Sequence, residues 1–303
     1  MISTISSQGD PASLGGLPDI LPPFKPRKGV SGFIVQHPTV VIGGTLFLVL
    51  VLAGIFAPFL TSVDPNALAV SQRARAPSAE HWFGTDLLGR DVYSRVIYGA
   101  RVSLIVGFAV AFFSSAGGLL VGLVAGFIRW TDGIIMRIMD GLMAIPPVLL
   151  AIALLAVTRG SIGNVIIAIT IAEIPRVARL VRGIVLTLRD QPFIDGAVAS
   201  GGRTTHIILR HILPNTLAAM TVQATYVGAS AMVLEAVLSF IGAGIPSDIP
   251  SWGNIMAEGR AVWQIKPHII FFPALFLSMT ILSVNILGDG LNDAFGFRMK
   301  NVL

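Results

Sequence analysis

Residues 195–215 read DGAVASGGRTTHIILRHILPN, set between two long apolar runs. The stretch is too polar to lie in lipid and too patterned to be a slack connector. Asp195 stands near the start of a short helix, where unpaired amide groups favour a carboxylate. Gly196, Ala197, Ala199 and Ser200 keep one face of that helix narrow. Gly201 and Gly202 supply the φ freedom for a sharp turn. Beyond the turn, Arg203, His206 and Arg210 fall at i, i+3 and i+7, and Ile208, Leu209 and Ile212 at i, i+1 and i+4, so a second short helix has a basic and an apolar face. Leu213 and Pro214 mark entry into the next apolar run. The stretch therefore reads as a knob of two short helices. Either it packs only against its own chain, or it docks into another chain and passes motion to the helices behind it.

Composition says what those helices are. The 303-residue chain is 54% hydrophobic and 12% charged, with a mean hydropathy of +0.80. A soluble domain carries roughly 25% charged residues. Half that share, with apolar runs of about 20 residues, places most of the chain in a lipid bilayer. The pI of about 10.1 does not indicate nucleic acid, because the 21 basic residues are scattered and form no basic face. Cysteine is absent, so disulfides, thiolate metal sites and cysteine nucleophiles are excluded.

The apolar runs predict an all-α integral membrane protein with six spans, at about 39–60, 99–128, 134–157, 162–183, 216–242 and 268–288. They are continuously apolar and lack the alternation of a membrane barrel. Residues 1–37, rich in Ser, Gly and Pro and carrying Lys25, Arg27 and Lys28, read as a flexible tail ahead of a transmembrane domain at 38–303. With both termini in the cytoplasm, 13 of the 21 basic residues lie on that side, which is the favoured arrangement. Segments 61–98 and 243–267 then face outward, and the loop 184–215, knob included, faces the cytoplasm. The outer segments carry Trp82, Tyr93, Tyr98, Trp252 and Trp263. These rings are either headgroup anchors or part of an outer mouth or partner contact.

Polar groups inside spans are costly and mark pathways or buried pairs. Glu173 precedes three arginines and either pairs with Arg176 or Arg179 or faces a pathway. Glu235 has no basic neighbour in sequence and is the stronger pathway candidate; Gln223, Tyr226, Ser230 and Asn285 either hydrogen-bond between helices, the default, or add polar lining. Gly117, Gly118, Gly122 and Gly126 suit close helix packing. His206 and His211, five apart, do not share an α-helical face, and Asp132 and Asp140 read as interfacial charges, so no metal site is expected.

The order Asp195-Gly196-Ala197, three residues, Gly201, nine residues, His211-Ile-Leu213-Pro214 resembles the "EAA" loop of ABC importer permeases. That pattern reads Glu-Ala-Ala, three residues, Gly, nine residues, Ile, any residue, Leu-Pro. Asp195, Gly196 and His211 depart from it in letter but not in spacing, and Gly196 loosens the first helix by about 1 kcal/mol relative to Ala. HWFGTDLLGRDVYSRVIYGARVSL (81–104), IPRVARLVRG (174–183), RHILPN (210–215) and NILGDGLNDAF (285–295) are similar to the dipeptide, oligopeptide, glutathione and nickel permease family, and the likeness covers nearly the whole chain. The family usually continues into Asp-Pro where this chain has Gly296-Phe297-Arg298.

The resemblance implies a type I ABC importer permease fold in the bacterial inner membrane. It implies a homologous second permease subunit, two cytoplasmic ATPases that bind ATP and Mg, and an extracytoplasmic substrate-binding protein. It makes Asp195, Gly196, Ala197, Gly201, Gly202, Arg203, Arg210, His211, Leu213 and Pro214 the segment seated in an ATPase cleft. The chain itself would bind no cofactor and catalyse nothing. A secondary transporter driven by an ion gradient is the alternative, and would need an internal repeat that the sequence does not display. An intramembrane enzyme lacks any usable Ser/His, His-Glu-x-x-His or paired-aspartate spacing.

Overall fold

The computed structural model describes residues 37–158 and 160–300, with side chains through 294. The tail expected at 1–37 falls outside this range except for its last residue. Nine principal helices follow in order: α1 (Pro38–Ile55), α2 (Val92–Phe127), α3 (Arg129–Met143), α4 (Pro147–Val157), α5 (Ile162–Arg189), α6 (Pro192–Ala199), α7 (Leu213–Phe240), α8 (Trp252–Gly259) and α9 (His268–Lys300). Among the described residues the only β pairing is an isolated bridge between Thr85 and Asp91.

The ends of these helices are written locally. Asp91 caps α2 by accepting from the Ser94 amide at 2.7 Å. Ser161 and Ser251 cap α5 and α8 through the amides of Asn164 and Asn254, at 3.1 and 3.2 Å. Each cap satisfies an amide that the first helical turn leaves unbonded. Proline opens α1, α4 and α6, where its missing N–H costs nothing.

Four helical runs are long and apolar enough to cross a membrane: 38–55, 92–127, 204–240 and 268–294. Helix α5, 28 residues long, has the length but carries Glu173, Arg176, Arg179 and Arg182. The sequence predicts a single span over 134–157. The structure instead has α3 and α4 meeting at 90°. The reason is Pro146-Pro147: a residue before proline is driven out of the α region, and Pro146 is extended at φ −52°, ψ 132°. The pair amounts to one broken span at most.

Helix α2 is the axis of the fold, lying against α5 along one side and α7 and α1 on others. The glycines of α2 meet the valines of α5 in register. An added Cβ at Gly118, Gly122 or Gly126 would stand 2.5, 2.6 or 2.8 Å from the Cβ of Val177, Val181 or Val185. Helices in lipid gain little from the hydrophobic effect, so such close approach supplies the packing that holds them. Replacing Gly122 with leucine should therefore force α2 and α5 apart, at a cost of about 1–3 kcal/mol. A lower melting temperature of the detergent-extracted protein, and none for leucine at Gly133, which has nothing within 4 Å, would register it.

One core unites α2, α4, α5 and α7 with Ile194, Ile207 and Ile212 of the knob. A second joins the start of α2 with α8, α9 and the middle of α7. Trp252 belongs to this second core. It is fully buried and donates its indole N–H to the Val96 carbonyl at 3.0 Å, so it is not a headgroup anchor. Trp82 and Trp263 are exposed, as anchoring requires.

Candidate functional site

The knob is built by a helix stop. At the end of α6 the Gly202 amide bonds to the Ala197 carbonyl at 3.0 Å, and the Gly201 amide to the Val198 carbonyl at 2.9 Å. This is the Schellman arrangement, and it needs a left-handed residue at Gly201, whose φ is +78°. Gly202 is required for another reason: a Cβ there would sit 2.7 Å from the Ala197 carbonyl oxygen. Gly196 has nothing within 4 Å, so an alanine would fit.

The turn sends the chain back into the protein through Ile194, Ile207 and Ile212, which are 3%, 2% and 0% exposed. Asp195, Gly196, Val198, Arg203, His206, Leu209, Arg210 and Pro214 face outward, with Ala197, Gly202, His211 and Leu213 half-buried. Phe193 adds an exposed ring beside His211. The surface is thus apolar and basic, on a scaffold whose inner side is locked into the core. Such a surface is suited to seating in a cleft of another protein.

Two expectations are corrected here. Of the apolar face predicted from Ile208, Leu209 and Ile212, Ile212 is buried and Ile208 packs against the core, but Leu209 is 59% exposed and Ile207 is buried in its stead. His206 and His211, expected on different faces, stand with ring centroids 6.2 Å apart. Both follow from one feature. Ile208–Ile212 is a π turn, with the Leu213 amide bonded to the Ile208 carbonyl, and residues five apart share a face there. The second short helix also does not stop before α7. It continues through this turn into one helical run, 204–240.

Helix α5 leads into the knob and is tied to α3. Arg182 donates twice to Asp132, Arg179 bonds Asp140 at 2.5 Å, and Arg176 pairs with Glu173 at 3.2 Å. Asp132 and Asp140 are thus interhelical partners. The exposed Arg179 pair adds little stability and mainly fixes orientation.

The polar candidates inside the spans are dispersed. Glu235 is fully buried and accepts from Ser103 at 3.1 Å and Ser239 at 2.9 Å, so it faces no open path within this chain. Glu173 is also buried, with the Ser230 hydroxyl 3.1 Å away. Tyr226 is exposed and donates to Asp289 of α9. Gln223 and Asn285 are half-buried. Among the described residues no hydrogen bond joins any two of Glu235, Gln223, Tyr226 and Asn285.

A buried ionic cluster at the far end of α7 was not anticipated. Asp86, with no exposed surface, accepts from Arg90 Nε at 2.7 Å and from Arg95 Nη1 at 2.6 Å. Glu258 of α8 accepts from Arg90 Nη2 at 2.5 Å, and from both terminal nitrogens of Arg95. Two acids and two bases neutralise one another and join α2, the loop before it and α8. The only sequence signal was the spacing Asp86, Arg90, Arg95; the fourth member lies 163 residues beyond Arg95.

Comparison with known proteins accounts for this arrangement. The family model described as "Binding-protein-dependent transport system inner membrane component" matches residues 118–301. "N-terminal TM domain of oligopeptide transport permease C" matches residues 34–77. A probable peptide ABC transporter permease protein of Sinorhizobium fredii, y4tQ, is 52% identical over 265 residues, 88% of this chain and 91% of that protein. The dipeptide transport system permease protein DppC of Alkalihalophilus pseudofirmus is 42% identical, covering 86% of each chain. The glutathione transport system permease protein GsiD of Salmonella typhimurium is 43% identical, covering 88% of each. Among solved structures, an inward-facing form of the MetNI methionine ABC transporter aligns with a TM-score of 0.56 at 20% identity, over 66% of this chain and 95% of that one. The fold is that of a type I ABC importer permease, and the apolar helices make it a multi-pass inner-membrane protein. The chain belongs to the binding-protein-dependent transport system inner membrane components, as a permease subunit of an ABC importer.

Proposed function

We propose that this subunit pairs with a homologous second permease to form the pathway for di- or oligopeptides or a related small solute. In this reading two cytoplasmic ATPases, which bind the ATP and Mg, seat against Asp195–Pro214, and an extracytoplasmic binding protein delivers the solute. The chain itself hydrolyses nothing. The termini and the knob lie in the cytoplasm, a placement supported by the excess of basic residues there. The peptide-type substrate is supported by what the relatives are named for.

The observation that carries the reading is the knob: an exposed mixed apolar and basic surface held by three isoleucines seated in the core. A push on it is delivered to α5 and α7 together, because a stopped and buried turn cannot flex it away. Closure of the ATPases would then move both helices as rigid bodies and open the pathway to alternate sides.

Crosslinking tests this. The chain has no cysteine, so Val198→Cys, on the exposed side of α6, places a single thiol on the knob. In the complete transporter, a short thiol–amine crosslinker is expected to join this chain to an ATPase. Failure to capture an ATPase, while the transporter still takes up solute, would overturn the docking assignment.

A further inference from the structure

The run 204–240 is one helix with a single irregularity, and its position has consequences for the knob. Pro214 has no amide for the Arg210 carbonyl, and in an α-helix its ring would strike that carbonyl. The chain answers by widening: Leu213 bonds back to Ile208, one residue further than an α-helix allows. The side-chain amide of Asn215 then takes the His211 carbonyl at 2.6 Å. A local cause therefore holds the turn open.

The effect is a change of phase. In an α-helix, residues five apart differ by about 140° around the axis. Here two such pairs coincide: Ile207 with Ile212 on the buried side, and His206 with His211 on the outer side. Close the turn to an α-helix, and everything before it rotates by about 100° against α7. Ile207 would leave its seat in the core while Ile212 kept its own. Arg203 and His206 would swing away from the direction in which Arg210 and Leu209 now point.

We propose that the π turn at Ile208–Ile212, held open by Pro214 and Asn215, is the positioning element that sets the rotational phase of the knob on α7. It makes the buried isoleucines and the exposed basic rim register at once, so that a push arrives along α7 and not as a twist about it. This inference rests on the reading of 195–214 as the ATPase-docking segment.

The test uses the complete transporter in lipid vesicles. His206→Cys together with His211→Cys, in this cysteine-free chain, is treated with a short bis-alkylating thiol crosslinker and read by mass spectrometry. Bridging is compared in the parental turn, with Pro214→Ala, and with Pro214→Ala combined with deletion of Leu209, which leaves the two cysteines four apart on one α-helical face. The same two changes are then made in chains that keep both histidines, and solute uptake per ATP hydrolysed is measured. We expect Pro214→Ala to lower bridging at least fivefold and uptake per ATP about tenfold, and the added deletion to restore both, because removing one residue from a turn closed to an α-helix undoes the rotation. Leu209→Ala, which preserves the length of the turn, should bridge as the parental chain does. Undiminished bridging in Pro214→Ala overturns the proposal, as does lost bridging with uptake per ATP at the parental value, or a deletion that fails to restore bridging. If the Val198→Cys chain captures no ATPase, the docking reading is what fails, and the bridging comparison still decides whether the turn sets the phase.

Discussion

Replacing Asp86 with alanine is expected to destabilise the protein by about 3–5 kcal/mol, because it breaks a buried ion cluster from one side. Asp86 is fully buried and holds four donors: the Leu88 and Arg90 amides at 2.8 and 2.9 Å, Arg90 Nε and Arg95 Nη1. Arg95 has no exposed surface either, so its charge would lose half its compensation and gain no water. The loss should be read as a large drop in the melting temperature of the detergent-extracted transporter and in its yield from membranes. Glu258→Gln should cost less, because that side chain is 22% exposed and keeps an oxygen to accept from Arg95. Asp64, on the exposed outer loop, is the control. If Asp86→Ala melts no lower than Asp64→Ala, the cluster does not hold α8 to α2.

Placing glutamate at Gly201 should abolish most transport without preventing assembly. Two effects add. A side chain at φ +78° costs about 1–2 kcal/mol of backbone strain. It also extends from a position with nothing within 4 Å, so the long charged group stands out from the knob where a cleft would close on it. The strain is too small to unfold a protein of this size, and Gly201 lies in the turn between α6 and the helical run 204–240, outside both. We expect normal insertion and at least a tenfold fall in uptake per ATP hydrolysed. Unchanged uptake would remove the turn from the coupling path. Valine at Gly202 should act differently, through its clash with the Ala197 carbonyl, by undoing the end of α6.

The two variants probe the two ends of α7, and the physics differs between them. Near the knob the important groups are local in sequence: a capped helix, a glycine pair, a proline. Near the cluster they are assembled from distant segments. Glu235 sits between these ends. The sequence makes it a pathway candidate because an unpaired carboxylate in a span is costly. Within this chain it is fully buried and accepts from Ser103 and Ser239. Sequence neighbours alone cannot reveal a serine 132 positions away.

What the residues determined by themselves was whatever depends on composition and short-range geometry. The helical membrane class followed from apolar run length. The knob, its glycine turn and the family followed from spacing within 21 residues. The packing role of Gly118, Gly122 and Gly126 followed from their interval of four, although their partners Val177, Val181 and Val185 did not. Even the break at Pro146-Pro147 was written locally and was overridden by the apolar signal around it.

Only the tertiary structure decided which side chains meet across helices and in what phase. It buried Trp252 and Glu235, matched Asp132 and Asp140 to Arg182 and Arg179, and closed Asp86, Arg90 and Arg95 with Glu258. It also converted an expected α periodicity into a π turn, which put Ile207 in place of Leu209 on the buried face of the knob. The physical reason is the same in each case. A sequence specifies how residues are spaced along one helix, whereas partners and rotation about the axis are set by what the neighbouring helices present.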